Sequence, residues 1–177
     1  MLIERDRYIL RPWQSTDAPS LTKHMDNINI WNNLRDLVPC PYTLADAYSF
    51  INMVNQKDNL QDVAIVIDGS AIGGISIVPG KDVERISAEL GYWLSESYWG
   101  KGIMTSVVVD FTEYVFTNTP ISRLFATVFD FNRNSQYVLE KVGFRKIGIL
   151  QDCAVKNNKI ISMVYYELVK AHMRRTD

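Results

Sequence analysis

Apolar and polar residues follow short, changing periods along the chain, and each period predicts one element. Near the start, alternation over Arg7–Arg11 predicts a short strand. Ser15 or Thr16 then supplies a side chain suited to capping a helix that runs to about Met25. A second short helix is predicted over Ile28–Leu34. The N-terminal region therefore predicts one strand followed by two helices.

A capping pattern marks the next helix more sharply. Thr43 lies three residues before Asp46, so each side chain can bond to the backbone N–H of the other residue. The apolar residues that follow recur at helical spacing. These signals predict a helix from Leu44 to about Asn55.

The middle of the chain changes to a β pattern. Val63–Ile67 and Ile72–Val78 are rich in β-branched residues, and Asp68-Gly69 between them is a hairpin signal. Ser87–Leu94 is predicted to be a third strand that extends this meander.

The C-terminal half alternates helices with strands. Apolar residues between Ile103 and Val115 recur at helical spacing and predict an amphipathic helix. Four further elements are predicted: a strand over Arg123–Phe129, a helix over Asn134–Val142 closed by Gly143, and two strands over Ile147–Asp152 and Ile160–Val169 joined at Asn157-Asn158. Hairpins followed by alternating helices and strands indicate a mixed α/β class with one central sheet.

Composition narrows the class of protein. The chain has 177 residues, which is the length of about one domain, and we expect residues 1–177 to form a single domain. Its 47% hydrophobic and 22% charged residues exclude a disordered or collagen-like chain. A net charge of −1 argues against a strongly basic nucleic-acid-binding protein. The sequence shows no membrane-length apolar run and no signal-peptide pattern, so we expect a cytoplasmic protein without a membrane or nucleic-acid partner.

Few residues suit a metal site or a disulfide. Cys40 and Cys153 lie far apart, and two free thiols are the expectation in a chain of cytosolic character. His24 and His172 have no Cys, Asp or Glu companions at zinc-site spacing. We therefore expect no metal.

The segment Leu94–Thr105 carries the strongest chemical signal. It joins a predicted strand to a predicted helix through Gly100 and Gly102. A helix N-terminus presents unpaired N–H groups and a positive dipole end, and glycines allow a phosphate to approach the backbone. The segment is neither a Walker loop nor the dinucleotide fingerprint. Taken alone, it fits a phosphate site and a plain strand-to-helix turn about equally well.

Several ordered motifs give this loop a context. They are Leu10-Arg11-Pro12, Pro41-Tyr42-Thr43, Gly91-Tyr92-Trp93-Leu94, Trp99-Gly100-Lys101-Gly102, Asn132-Arg133-Asn134-Ser135 and Val142-Gly143-Phe144. Together they closely resemble the GNAT (GCN5-related N-acetyltransferase) superfamily, and within it the RimJ/RimL-type branch. The resemblance implies an α/β fold of α+β type with flanking helices around a mixed, mostly antiparallel sheet of seven strands. Two central strands, here Ile86–Leu94 and Arg123–Phe129, would splay apart and hold acetyl-CoA.

The resemblance also implies cofactor contacts. Backbone N–H groups from Trp99 to Met104 would hold the CoA pyrophosphate with help from the Thr105 hydroxyl, and the end of the strand at Leu94 would pair with the pantetheine arm. The family often has Gln or Arg where this chain has Ser97, so one charged contact is missing. The implied cofactor residues are Trp93, Leu94, Trp99, Gly100, Lys101, Gly102, Ile103, Met104, Thr105 and Asn132. Lys101 also fits a solvated loop lysine, and either Tyr92 or Trp93 is expected to pack in the core.

For catalysis, the resemblance points first to Ser135, whose equivalent in the branch lies near the thioester sulfur and helps protonate the leaving thiolate. Asn132 and Ser135 also fit an ordinary helix N-cap, so both interpretations stay open. Many relatives use a tyrosine where this chain has Leu139, which argues against tyrosine acid catalysis here. Cys153 has no histidine placed to activate it and is interpreted as structural.

A general base is needed because an alkyl amine is protonated near pH 7. Glu89 is the leading candidate, with a solvent-facing strand residue as its alternative. Some relatives carry a glutamate where this chain has Ala154, and Asp152 is the fallback as a base or an amine-binding residue. Trp31 and Tyr42 could line the acceptor site, although aromatic residues at helical spacing are more often core.

The predicted activity is direct transfer of an acetyl group from acetyl-CoA to a primary amine. The acceptor is either a protein N-terminal α-amine or a small-molecule amine. The alternative is a non-enzymatic acyl-CoA-binding or regulatory module of the same fold, which the departures at Ser97, Leu139 and Ala154 keep open. The resemblance also implies a homodimer, since dimers are common in this branch.

Overall fold

The computed structural model describes residues 1–56 and 62–172. Eight strands and five helices are present in this part of the chain. The strands are β1 Ile3–Arg5, β2 Tyr8–Pro12, β3 Asp62–Ile67, β4 Ser70–Pro79, β5 Ser87–Leu94, β6 Arg123–Phe129, β7 Arg145–Lys156 and β8 Lys159–Val169. The helices are α1 Ala18–Met25, α2 Ile28–Trp31, α3 Leu44–Asn55, α4 Ile103–Asn118 and α5 Arg133–Val142.

The strands form one sheet in the order β1-β2-β3-β4-β5-β6-β8-β7. The pairs β1–β2, β2–β3, β3–β4, β6–β8 and β7–β8 are antiparallel, whereas β5 and β6 are parallel. The mixed, mostly antiparallel sheet with flanking helices confirms the predicted fold class. The predicted number of seven strands is corrected to eight by β1, a three-residue strand of mixed charge.

Local turn chemistry accounts for the hairpins. Asp68 and Gly69 both have positive φ, of 49° and 74°, as the tight β3–β4 turn requires. Asn157 and Asn158 play the same part between β7 and β8, with φ of 52° and 60°. Gly143 ends α5 with φ of 104°, the left-handed conformation expected after a helix.

The start of α1 differs from its prediction. A 3₁₀ turn over Ser15–Asp17 precedes the helix, and neither Ser15 nor Thr16 caps it. Asp17 is instead buried and accepts two hydrogen bonds of 2.7 Å from the Arg11 guanidinium. It also accepts the Gln14 N–H at 2.9 Å. An ion pair from the neighbouring strand, which local propensity does not encode, therefore sets this helix start.

The contacts divide the chain into two compact units. The first comprises Met1–Ser76 and Tyr92–Val107, and the second comprises Ile77–Gly91 and Val108–Asp177. In the first unit, Trp13, Leu21, Ile51 and other apolar residues form a buried cluster against which Trp93 packs. In the second unit, alternate residues of β6 and β8 are buried, among them Leu124, Val164 and Tyr166.

No helix in the described part of the chain is both long and apolar enough to span a membrane. Cys40 and Cys153 are free and exposed, as predicted. Among the described residues, no group of three or more His, Cys, Asp and Glu side chains comes together in a way that suits a metal ion.

Candidate active site

The glycine loop of the first unit joins β5 to α4. A 3₁₀ turn over Glu96–Tyr98 follows the strand, and Gly100 and Gly102 then adopt φ of 72° and 74°. A methyl group added to either glycine would meet no atom within 4 Å. The loop therefore has the backbone conformation that favours glycine, with open space beside both positions.

The first turn of α4 supplies hydrogen-bond donors. The Ser106 N–H donates to the Gly102 carbonyl at 3.2 Å, so the N–H groups of Ile103, Met104 and Thr105 precede the first N–H that bonds back along the helix. The Trp99 N–H, in contrast, donates to the Glu96 carbonyl at 3.0 Å. The prediction that this N–H is a free donor is wrong, because the 3₁₀ turn already uses it.

The side chain of Trp99 bonds within the protein, although Trp99 was predicted to be a cofactor contact. Its indole N–H donates to the Leu94 carbonyl at 2.7 Å, which ties the loop to the end of β5. The carbonyl of Leu94 is therefore already bonded. Trp93 packs against the core cluster of the first unit, which settles which of Tyr92 and Trp93 contributes to that core.

The 3₁₀ turn is held by residues from the start of α2. Asn27 and Asn29 donate their side-chain N–H groups to the two carboxylate oxygens of Glu96, at 2.8 and 2.9 Å. These hydrogen bonds hold the pKa of Glu96 below its usual value. Asn27 also caps α2 through its side-chain oxygen. The same asparagine therefore fixes both the helix and the turn before the loop.

A second contact fixes the residue before this turn. Ser95 is buried, and its hydroxyl lies 2.9 Å from His24 Nδ1 and 3.2 Å from the Ser97 hydroxyl. Burial, followed by the nearby Lys23 charge, lowers the pKa of His24. The Ser97 hydroxyl therefore ends a short chain of side-chain hydrogen bonds that runs from His24 through Ser95.

Two cations lie beside the loop. The Lys101 ammonium is 5.2 Å from the centre of the Tyr98 ring, a cation–π distance. An Arg7 guanidinium N–H donates to the Lys101 carbonyl at 2.8 Å. Lys101 is thus neither a simple solvated lysine nor a residue shown to bind phosphate.

The second unit contains the candidate base. Glu89 on β5 accepts a hydrogen bond of 3.0 Å from the Thr127 hydroxyl on β6. The parallel register of these strands consists of three pairs and ends at Glu89 and Phe125. Glu89 is half-buried and held by a neighbouring strand, so it is more than a solvent-facing strand residue.

The start of α5 contains the candidate acid. Asn132 is the N-cap, and its side-chain oxygen accepts the Ser135 N–H at 3.1 Å. The capping interpretation of Asn132 is therefore confirmed, which leaves the Ser135 hydroxyl as the group with a possible chemical role. Leu139 is fully buried, and Tyr137 is exposed with Lys141 5.7 Å from its ring centre. Neither position offers a tyrosine acid inside the fold.

Asp152 lies at an irregular point of β7. It has φ of 49°, and its N–H donates to the Ser162 hydroxyl at 3.1 Å. Asp152 lines an open cavity of about 280 Å³ in the second unit. The other lining residues are Asp130, Arg133, Lys146, Ile149, Gln151, Ser162 and Val164.

The two aromatic candidates for the acceptor site differ in outcome. Tyr42 is buried in the core cluster of the first unit, and burial, with a smaller effect of Asp46, raises its pKa to about 12. Of the two interpretations of Tyr42, the structure therefore shows the core one. Trp31 is half-buried, and its indole N–H donates to the Val38 carbonyl at 2.8 Å.

Sequence reasoning missed the residues that hold the site. Arg7, His24, Asn27, Asn29 and Thr127 act across chain separations of 38 to 94 residues. No local spacing connects them to the loop or to Glu89. Only strand register and tertiary packing reveal these contacts.

The protein-family model of the acetyltransferase (GNAT) domain matches residues 7–145. The chain belongs to the GNAT acetyltransferase family. This match confirms the enzyme class and the family named from the motifs, and it includes the glycine loop, Glu89 and Ser135.

Relatives and solved structures agree with this assignment. The chain is 43% identical over 165 residues to the probable N-acetyltransferase YjcK of Bacillus subtilis, with 85% of each protein covered. It is 32% identical over 109 residues to the putative ribosomal N-acetyltransferase YdaF of the same organism, covering 62% of this chain and 59% of that relative. The structure of Mycobacterium smegmatis RimJ in complex with CoA-disulfide superimposes with a TM-score of 0.85 at 22% identity, covering 95% of this chain and 84% of RimJ. The last comparison supports the fold.

Proposed function

We propose that this GNAT acetyltransferase transfers an acetyl group from acetyl-CoA to a primary amine, with residues 1–177 working as one domain. The observation that carries the proposal is the glycine loop of the first unit. It combines two glycines of positive φ, open space beside them and the unpaired first turn of α4. The RimJ structure with CoA-disulfide supports a CoA compound as the ligand of this fold.

The loop fits the pyrophosphate of a CoA compound. Backbone N–H groups at the start of a helix are favourable partners for phosphate oxygens, because the helix dipole adds to their attraction. Gly100, Gly102 and Ile103–Thr105 would provide these contacts. When bound, acetyl-CoA supplies an activated thioester, and the amine attacks its carbonyl carbon directly.

Two residues of the second unit would handle the protons. Glu89, held by Thr127, would take a proton from the acceptor ammonium so that the amine becomes a nucleophile. The hydroxyl of Ser135 would donate a hydrogen bond to the sulfur that leaves.

The acceptor is proposed to be a primary amine, with a protein N-terminus as the first class to test. The name of YdaF, a putative ribosomal N-acetyltransferase, supports a protein acceptor, and small-molecule amines are the second class. Asp130 and Asp152 are candidates for holding an ammonium group because both carboxylates line one cavity. Trp31 remains a proposed acceptor contact.

Turnover by two variants tests the assignment. Glu89→Gln should lower kcat/KM for the acceptor about 100-fold, since general acid–base catalysis is worth 10²–10⁴-fold. Ser135→Ala should lower kcat about tenfold, the effect of one hydrogen bond to a charged group. Glu113→Gln and Ser49→Ala make the same changes at exposed positions and should keep full activity.

A panel of amines distinguishes an acetyltransferase from a non-enzymatic acyl-CoA-binding module. Peptides with free N-termini, polyamines, amino acids and aminoglycosides would be offered with acetyl-CoA. Acetylation of one class that both variants slow supports the proposal. Binding of acetyl-CoA without transfer to any amine would favour the non-enzymatic module.

A further inference from the structure

The peptide between Lys101 and Gly102 lies at the centre of the glycine loop. It follows Gly100 and contains the N–H of Gly102, and both glycines have positive φ. Its carbonyl, that of Lys101, accepts a hydrogen bond of 2.8 Å from a guanidinium N–H of Arg7. Arg7 belongs to the turn between β1 and β2, 94 residues earlier in the chain.

This contact controls a donor of the loop. The peptide is trans, since Cys40-Pro41 is the cis peptide bond among the described residues. The carbonyl and the N–H of a trans peptide point in opposite directions, so holding the Lys101 carbonyl from one side directs the Gly102 N–H to the other. A hydrogen bond from a charged donor also polarises the peptide, which strengthens that N–H as a donor.

We propose that Arg7 is a positioning residue for the anion-binding loop: it fixes the Lys101–Gly102 peptide so that the Gly102 N–H faces the CoA pyrophosphate. This inference rests on the proposed function. Among the described residues, the Gly102 N–H has no protein acceptor, and a methyl group on Gly102 would meet no atom within 4 Å. The donor therefore remains available to a ligand.

Charge supports the same role. Residues 94–105 carry one acidic side chain, Glu96, and one basic side chain, Lys101, so the loop has no net charge of its own. The Lys101 ammonium lies against the Tyr98 ring. Arg7 adds a permanent positive charge directly behind the loop backbone, since a guanidinium keeps its proton at all physiological pH values. A doubly charged pyrophosphate is attracted by that charge.

Separate contacts hold the start of the loop. Asn27 and Asn29 bond to Glu96, and the Trp99 indole bonds to the Leu94 carbonyl. None of these contacts involves Arg7. Replacing Arg7 should therefore release one peptide of the loop and leave its start in place.

The test compares Arg7→Ala with acyl donors that contain or lack the pyrophosphate. With acetyl-CoA, kcat/KM should fall about tenfold, mostly through KM, as expected for one lost charge-assisted hydrogen bond. 3′-Dephospho-acetyl-CoA should show the same loss, because it retains the pyrophosphate. S-acetylpantetheine lacks the pyrophosphate, so the variant and the wild type should use it equally well.

Two further variants complete the design. Arg7→Lys keeps a charged donor and should recover most of the affinity for acetyl-CoA. Arg85→Ala is the matched control, because Arg85 is also exposed and also donates to a turn carbonyl, that of Asp82 at 3.0 Å. It should behave as the wild type with all three donors. If Arg7→Ala does not fold by circular dichroism, Arg7→Met, which keeps the apolar stem, replaces it.

The possible outcomes are distinct. A loss confined to donors with the pyrophosphate supports the inference. An unchanged KM for acetyl-CoA, or an equal loss with S-acetylpantetheine, overturns it, because the second pattern indicates general damage. Failure of the wild type to bind or use acetyl-CoA would overturn the proposed function itself, which the wild-type data alone reveal.

Discussion

Gly73 on β4 lies against the backbone of β5, where the strand approaches the glycine loop. A Cβ added at Gly73 would lie 2.7 Å from the Trp93 carbonyl oxygen and 3.1 Å from methyl groups of Ile65 and Leu94. The two methyl groups belong to flexible side-chain ends, but the carbonyl belongs to a paired strand. Gly73→Ala must therefore move the Trp93–Leu94 backbone by several tenths of an ångström.

Overpacking of this kind costs about 1–3 kcal/mol, and the lower entropy of unfolded alanine returns about 0.4–1 kcal/mol. The net loss of about 1–2 kcal/mol corresponds to a fall in Tm of roughly 2–8 °C for a chain of this length. The Trp99 indole is bonded to the Leu94 carbonyl, so the shift should also disturb the loop and raise KM for acetyl-CoA.

Differential scanning calorimetry measures Tm, and steady-state kinetics measure KM. Gly148→Ala is the matched control, since Gly148 is also in a strand, has no positive φ and has no atom within 4 Å of an added Cβ. Gly148→Ala should keep the Tm and the KM of the wild type. A Gly73→Ala protein as stable as this control, with an unchanged KM, would refute the steric argument.

Two other substitutions test the account of the first unit. Asp17→Asn removes the charge that faces Arg11 across two hydrogen bonds of 2.7 Å. The free energy of unfolding should fall by about 3 kcal/mol and Tm by roughly 6–12 °C, whereas Asp6→Asn at an exposed position should change little. A Tm for Asp17→Asn within about 1 °C of the wild-type value would contradict this. Tyr42 keeps its proton in the folded state up to a pKa of about 12, whereas the unfolded chain loses it near 10. The wild type should therefore lose stability relative to Tyr42→Phe as pH rises from about 10 to about 12, and denaturant melts that stay parallel across this range would count against the burial of Tyr42.

Local signals were sufficient for most of the elements. The capping box of Thr43 and Asp46 predicted α3 at its observed bounds. Asp68-Gly69 and Asn157-Asn158 predicted their hairpins because Asp, Asn and Gly adopt positive φ more readily than other residues. The strands predicted over Ser87–Leu94 and Arg123–Phe129 matched β5 and β6.

The errors occur where distant residues decide the outcome. Ser15 and Thr16 have good capping side chains, yet Asp17 is drawn to Arg11 on β2. The three-residue strand β1 has no alternating pattern and exists through its pairing with β2. Tyr42 belongs to an ambiguous aromatic pattern, and only packing shows that it is core.

The sequence predicted the chemistry of the candidate site but not the residues that hold the site in place. Two glycines before a helix fit an anion site or a plain turn equally well, and it is the ordered motifs that connect this loop to a CoA compound. Arg7 and Thr127, in contrast, contact Lys101 and Glu89 through the folded sheet. Their roles follow from register, which a single sequence does not display.

Thermal unfolding with acetyl-CoA tests the central claim most directly. The account predicts stabilisation by acetyl-CoA and by CoA, and little by a nucleotide of the same charge. A ligand at 100 times its Kd adds about 2.7 kcal/mol, so Tm should rise by roughly 5–11 °C. An unchanged Tm at millimolar acetyl-CoA would contradict the account and leave the glycine loop as a plain turn between β5 and α4.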